Sequence, residues 1–216
     1  MGILLAGGTG VIGQALLDQT GHAHKIITVG RRATERAAQE VVADFSHLPH
    51  LPPAEKAICV LGTTIGKAGS REAFHAIDYG AVMSFAQAAK AAGSRHFIVV
   101  TAVGADPSSA VFYSRVKGEV ERDLQGLGFD KLDIIRPGLL RGPRSETRPV
   151  ETLLKAIAPL TDLAMQGPWR RYRSVHAKVV ARSLLQACEN TTPGVFIHQF
   201  EEICRLAREF ASTKNG

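Results

Sequence analysis

Residues 6–13 read Ala6-Gly7-Gly8-Thr9-Gly10-Val11-Ile12-Gly13, directly behind the apolar run Ile3-Leu4-Leu5. An apolar strand that runs into closely spaced glycines and then a helical pattern builds a phosphate cradle. Glycines let the backbone turn sharply and approach a pyrophosphate, and the free N–H groups of the helix start face the anion. The spacing is Gly7-x-x-Gly10-x-x-Gly13, not the G-x-G-x-x-G of many dehydrogenases. The stretch therefore predicts a dinucleotide-binding turn and leaves open which kind.

Outward from this turn, apolar runs alternate with helical patterns. Strands are expected at 2–6, 25–29, 40–43, 56–61, 95–101 and 131–136. Several are near-continuous in Val, Ile and Leu, as strands covered on both faces should be. Helices are expected at 11–20, 33–39, 71–92 and 112–126. In the long one, Phe74, Ile77, Val82, Phe85, Ala86 and Ala89 can form one stripe, and Gly93 ends it. The order predicts an α/β fold of Rossmann type: a doubly wound parallel sheet with helices on both faces. Helices near 150–158, 176–189 and 199–211 and a short strand at 194–198 complete the chain.

The 216 residues fit one domain, residues 1–216, in which residues from about 137 onward add a small lid and flank on the substrate side. No apolar run approaches the ~20 residues of a membrane span. The chain enters its first strand at once, which leaves no room for a signal peptide. Three cysteines, Cys59, Cys188 and Cys204, are an odd number without metal-like spacing. A reduced, cytoplasmic setting is expected, with no metal site. The formal charge of +6 is spread along the chain without an aromatic-basic stripe, which argues against nucleic acid. Two basic clusters, Arg141 to Arg148 and Arg170 to Arg173, fit an anionic small molecule about as well as a solvated face.

The second strand ends Thr28-Val29-Gly30-Arg31-Arg32. Arg31 lies eighteen residues after Gly13, close to the position, about 20 residues on, where an acidic residue grips the adenosine ribose of NAD. Here the residues are arginines. A guanidinium offers forked donors to phosphate oxygens, so Arg31 and Arg32 favour the 2′-phosphate of NADP(H). Asp44 and Phe45 follow the third strand, where a carboxylate can accept the adenine amino group or simply serve a turn. Leu61, Gly62, Thr63 and Thr64 follow the fourth, where small residues allow close contact with the cofactor.

Tyr113-Ser114-Arg115-Val116-Lys117 places a phenol and an ammonium four apart on one helix face. The ammonium is expected to lower the phenol pKa, which otherwise lies near 10. Such a Tyr113 exchanges a proton with a substrate oxygen while hydride passes to or from nicotinamide, and Lys117 can hold the nicotinamide ribose.

With these residues together, the chain resembles the short-chain dehydrogenase/reductase superfamily in its atypical branch, and most closely the Tat-interactive-protein-like oxidoreductases. The resemblance rests on residues 59–70 (CVLGTTIGKAGS), 116–121 (VKGEVE) and 136–140 (RPGLL), and it weakens after about residue 165. It implies a Rossmann fold, NADPH binding and a reductase activity of undefined substrate. It also implies that Pro137 and Gly138 lie beside the nicotinamide. The superfamily's third catalytic group is a hydroxyl at the end of the fifth strand. Where a Ser-Ser pair is typical this chain has Thr101-Ala102, which leaves Thr101 as the candidate.

Three functions compete on these residues. The first is an NADP(H)-dependent oxidoreductase acting on a small carbonyl or alcohol. The second is a non-catalytic NADP(H)-sensing protein that regulates or binds a partner, as Ala102 suggests. A nucleotide-sugar epimerase fits the glycine spacing, but the 78 residues after Gly138 are few for a sugar-nucleotide domain. Both a monomer and a homodimer are compatible with the sequence.

Overall fold

The computed structural model describes residues 2–20, 25–37, 39–141 and 167–213. Strands β1 (Gly2–Ala6), β2 (Lys25–Gly30), β3 (Gln39–Val42), β4 (Lys56–Cys59), β5 (His96–Val100), β6 (Lys131–Ile135) and β9 (Gly194–His198) form one sheet. Its order is β3-β2-β1-β4-β5-β6-β9. Every pairing is parallel, for example Leu4 opposite Ile27 and Ala57 opposite Phe97. The order reverses between β1 and β4, and ligands of such sheets bind in the crevice beyond the carboxyl ends of the strands at that point. The glycine turn after β1 and the Leu61–Thr64 stretch after β4 flank that crevice.

Side-chain alternation divides the core. Ile3 and Leu5 point to one face, under α1 (Val11–Thr20), α6 (Ala177–Glu189) and α7 (Phe200–Thr213). Leu4 and Ala6 point to the other, under α4 (Val82–Ala91) and α5 (Phe112–Gly126). A two-residue pairing of β7 (Leu140–Arg141) with β8 (Val175–His176), and a 3-10 turn at Gly167–Tyr172, were not expected. The helix expected at 150–158 lies outside the described residues.

Two expected helices differ from the structure. No helix forms over the described residues of 33–39. The Thr34 N–H and hydroxyl both donate to the Glu40 carboxylate, and Glu35 adopts a left-handed φ of 58°. Side-chain capture of the backbone competes with helix there. The long helix is in three parts: α3 (Arg71–His75), a π-helical stretch (Ala76–Ala81) and α4. A short α2 (Ile65–Ala68) precedes them, capped by Thr64 and closed by Gly69 at φ 89°. The π turn breaks the expected stripe. Phe85 packs on Phe45 and Phe97 in the core, whereas Phe74 packs on Phe112 and Tyr113 of α5. Asp78, rather than Ile77, is the fully buried residue between them.

A buried charge cluster lies beneath α6. Asp133 of β6 accepts hydrogen bonds from His96 Nε2 and His198 Nε2, each at 2.6 Å, and Lys131 Nζ lies 3.0 Å away. Lys131 also donates to the carbonyls of Ala187 and Asn190. His96 is buried and structural.

Candidate active site

The glycine turn is shaped by contacts that side chains would prevent. Gly7 has φ 91°, in the left-handed region, and its carbonyl accepts the Gly10 N–H at 3.0 Å. A Cβ on Gly13 would lie 2.3 Å from that carbonyl oxygen and 2.7 Å from Gly8 Cα. Gly13 thus lets α1 close onto the turn, leaving Thr9 and Gly10 exposed at the helix start. Val11 and Ile12 anchor that first turn in the core. No acidic side chain occupies it, so its N–H groups suit an anion. Gly13→Ala is expected to push the turn apart and abolish saturable dinucleotide binding at concentrations that saturate the wild type. Isothermal titration checks this, and unchanged affinity would separate the turn from binding.

Beside the turn lies a cavity of about 390 Å³, with Gly8, Thr9, Gln14, Arg32, Thr34 and Arg36 in its walls. Arg36 pairs with Asp18. An adjoining cavity shares Gly8, Thr9 and Arg32 and continues past Arg31, Phe45 and Leu61. Arg31 and Arg32 are exposed. Asp44 Oδ1 closes a turn by accepting the Ser46 N–H at 2.9 Å and hydroxyl at 2.7 Å, and these bonds hold its carboxyl below the usual range. Phe45 is buried.

The catalytic candidates occupy the other side of the crevice. Lys117 is only 4% exposed, and its Nζ lies 2.6 Å from Oδ1 of the fully buried Asp78. The second oxygen of Asp78 accepts the Thr63 N–H at 2.8 Å. A Cβ on Gly62 would stand 3.5 Å from Asp78 Oδ1 and 3.7 Å from Lys117 Nζ, so the loop after β4 lies directly on the ion pair. The Thr64 hydroxyl is used as the α2 cap.

Tyr113 lies with its ring centroid 5.5 Å from that of Phe74. Burial pushes its phenol above the ordinary value; Lys117 pulls it down and Asp78 pushes it up. The expected net lowering is therefore reversed, because desolvation outweighs an ammonium that is itself paired. Thr101 is buried and its hydroxyl donates to Glu121 Oε1 at 2.6 Å. Glu121 is in turn held by the Arg136 guanidinium. Thr101 is thus joined to the third turn of α5. Ala102 is buried. The Pro137 carbonyl accepts the Val103 N–H at 3.0 Å, and a Cβ on Gly138 would lie 2.3 Å from the Arg173 carbonyl oxygen. Close backbone packing alone accounts for that glycine.

Among residues that the sequence reading did not single out, Asp78, Glu121 and Arg136 are central. Glu121 had a signal: it continues the four-residue spacing Tyr113, Lys117, Glu121. Asp78 had none, because a lone Asp in a helical pattern reads as solvated. Of the second basic cluster, Arg170 pairs with Glu201 at 2.9 Å and Arg171 lies over the Tyr172 ring. Arg144 and Arg148 of the first cluster fall outside the described residues, where much of the expected lid also lies. Among the described residues no cluster of metal ligands occurs and no helix is long and apolar enough to cross a membrane.

A seven-stranded parallel sheet with a Gly-x-x-Gly-x-x-Gly turn at its switch point, facing a Tyr-x-x-x-Lys helix, defines a short-chain dehydrogenase/reductase fold. Solved structures share it. MoeE5 in complex with UDP-glucose and NAD gives a TM-score of 0.70 at 14% identity, covering 98% of this chain and 82% of that one. The human epimerase family protein SDR39U1 with NADPH gives 0.61 at 21% identity, covering 92% and 74%. The HIM1 family model matches residues 24–165, and the chain belongs to that family. It is 31% identical to the protein fmp52, mitochondrial, of Aspergillus niger, over 88% of this chain and 90% of that protein. It is 36% identical to the protein HTATIP2 of Rattus norvegicus, over 85% and 79%. The expected cytoplasmic location is overturned by the fungal relatives, which are named mitochondrial proteins. Reduced cysteines and an early first strand do not distinguish the two compartments.

Proposed function

We propose that this chain is an NADP(H)-dependent oxidoreductase acting on a small carbonyl or alcohol. The observation that carries the reading is the buried Lys117. It sits one turn from Tyr113 and against Gly62, so the proton-transfer helix and the dinucleotide crevice share a wall. The bound dinucleotide would supply or accept the hydride. Residues 7–13 would hold its pyrophosphate and Leu61–Thr64 its ribose and phosphates, with Pro137 and Gly138 on the nicotinamide side. Tyr113 gives or takes the proton at the substrate oxygen, and Lys117 anchors the nicotinamide ribose. Thr101 has a hydroxyl committed to Glu121, which makes it the weakest member of the set. Arg71 and Arg115, both beside the Phe112 ring, suit an anionic substrate.

The preference for NADP(H) rests on Arg31 and Arg32 at the end of β2 and on the cavity that Arg32 and Arg36 share. Arg32→Glu is expected to weaken NADPH about 10- to 100-fold, the loss of a charge-assisted hydrogen bond worth about 1.5–3 kcal/mol. NADH affinity should hardly change. Fluorescence titration with both dinucleotides measures this, and equal losses would remove Arg32 from 2′-phosphate recognition.

The Thr101–Glu121 bond and the adjacent Ala102 favour one second reading, a non-catalytic NADP(H)-sensing protein. NADPH oxidation across a panel of aldehydes and ketones separates the two. Tight NADPH binding without turnover on any member supports the sensor.

A further inference from the structure

Asp78 is buried in the π-helical turn, and its two oxygens have different partners. Oδ1 faces Lys117 Nζ and Oδ2 accepts the Thr63 N–H. A carboxylate and an ammonium 2.6 Å apart act as a nearly neutral unit on a third group. A lone Lys117 would draw the Tyr113 phenol toward phenolate; the pair does so much less. Among the described residues, Lys117 from α5 and Asp78 from the π turn are the charged groups that act on Tyr113. Cys59 of β4 also faces the pair, but burial pushes its thiol up to about 12, so it adds no charge.

We infer that Asp78 is a positioning residue that offsets the charge of Lys117 and, together with burial, keeps Tyr113 protonated, so that the resting site is a proton donor suited to reducing a carbonyl. This rests on the oxidoreductase reading above. A bound reduced dinucleotide would supply the hydride, with its two electrons, to the carbonyl carbon. The carbonyl oxygen gains the Tyr113 proton, and the tyrosinate left behind regains a proton from water. Asp78 does not touch the reacting atoms. It sets the charge that Tyr113 experiences and ties the loop after β4 to the catalytic helix.

The test is a tyrosinate absorbance titration, which needs neither substrate nor dinucleotide. The chain has three tyrosines, and subtracting the Tyr113→Phe spectrum isolates the Tyr113 step. In Asp78→Asn the ammonium loses its counter-ion, and the Tyr113 step is expected to fall by about 1–3 pH units. An unmoved step would overturn the inference. Should that variant fail to fold, the double variant Asp78→Asn/Lys117→Gln carries the test with a neutral, hydrogen-bonding pair. Its Tyr113 step is expected to stay at the wild-type value. A rise of about one unit or more would mean that Lys117 acts uncompensated in the wild type, and would equally overturn the inference. Full reductase activity in Tyr113→Phe would sink the functional reading instead, and would leave the titration result standing.

Discussion

Tyr113→Phe is expected to lower turnover about 10²- to 10⁴-fold, the usual contribution of a positioned general acid or base, while dinucleotide affinity stays unchanged. The substitution removes one hydroxyl and keeps the ring. The packing against Phe74 survives, so α5 has no reason to move. Lys117 also stays in place, because Asp78 holds it independently of Tyr113. The variant therefore separates proton transfer from binding. Steady-state kcat on a responsive carbonyl and NADPH affinity by fluorescence give the two readouts. Retained turnover would assign the proton to another group. A parallel loss of affinity would mean that the hydroxyl serves the dinucleotide rather than the substrate.

The largest stability effect is expected at Asp133, far from that chemistry. Its carboxylate receives two imidazoles and an ammonium within 3.0 Å, at 1% exposure. Asp133→Asn keeps the volume, so no cavity forms. It removes the negative charge 3.0 Å from buried Lys131, and an amide oxygen cannot serve all three donors. Breaking a buried pair in this way costs about 3–5 kcal/mol, measurable as a fall in the urea midpoint at neutral pH. The wild type also carries a pH signature. Burial alone would raise the Asp133 pKa, but the bonds from His198, His96 and Lys131 hold it well below the usual carboxylate range. A depressed folded pKa gives stability that is complete above the unfolded value of about 3.9 and is lost as pH falls through the folded value. This part of the acid limb should be missing in Asp133→Asn. A midpoint equal to wild type would show that the carbonyls of Ala187 and Asn190 suffice for Lys131.

The inner strands β1, β2, β4, β5 and β6 were legible because parallel strands covered on both faces are written as short, unbroken apolar runs. The glycine turn was legible for a related reason: close backbone approach leaves a residue-type signature at fixed spacing. The helix expected at 33–39 was not real, since its composition allowed a helix but Thr34 and Glu40 bind each other across the loop. At the site, Tyr113 and Lys117 share a helix and could be found by spacing. Their regulators could not. Asp78 comes from another element, and its partnership with Lys117 exists only in three dimensions. The Thr101 hydroxyl was recognised as a chemical group, but its direction, toward Glu121, depends on how the end of β5 meets α5.

The π turn at Ala76–Ala81 has a consequence for how much one rod of helix can do. An uninterrupted α-helix turns 100° per residue, so residues eleven apart, such as Phe74 and Phe85, would look the same way. Here they do not. The wider turn shifts the phase of the rod midway, so its second half seals the sheet while its first half looks along the chain toward α5. Rewinding this stretch as regular α-helix at the same length would restore the phase and turn both halves toward the sheet. Asp78 would then rotate away from Lys117 with no change to any residue in the pair. The winding of this segment, as much as its composition, therefore shapes the candidate site.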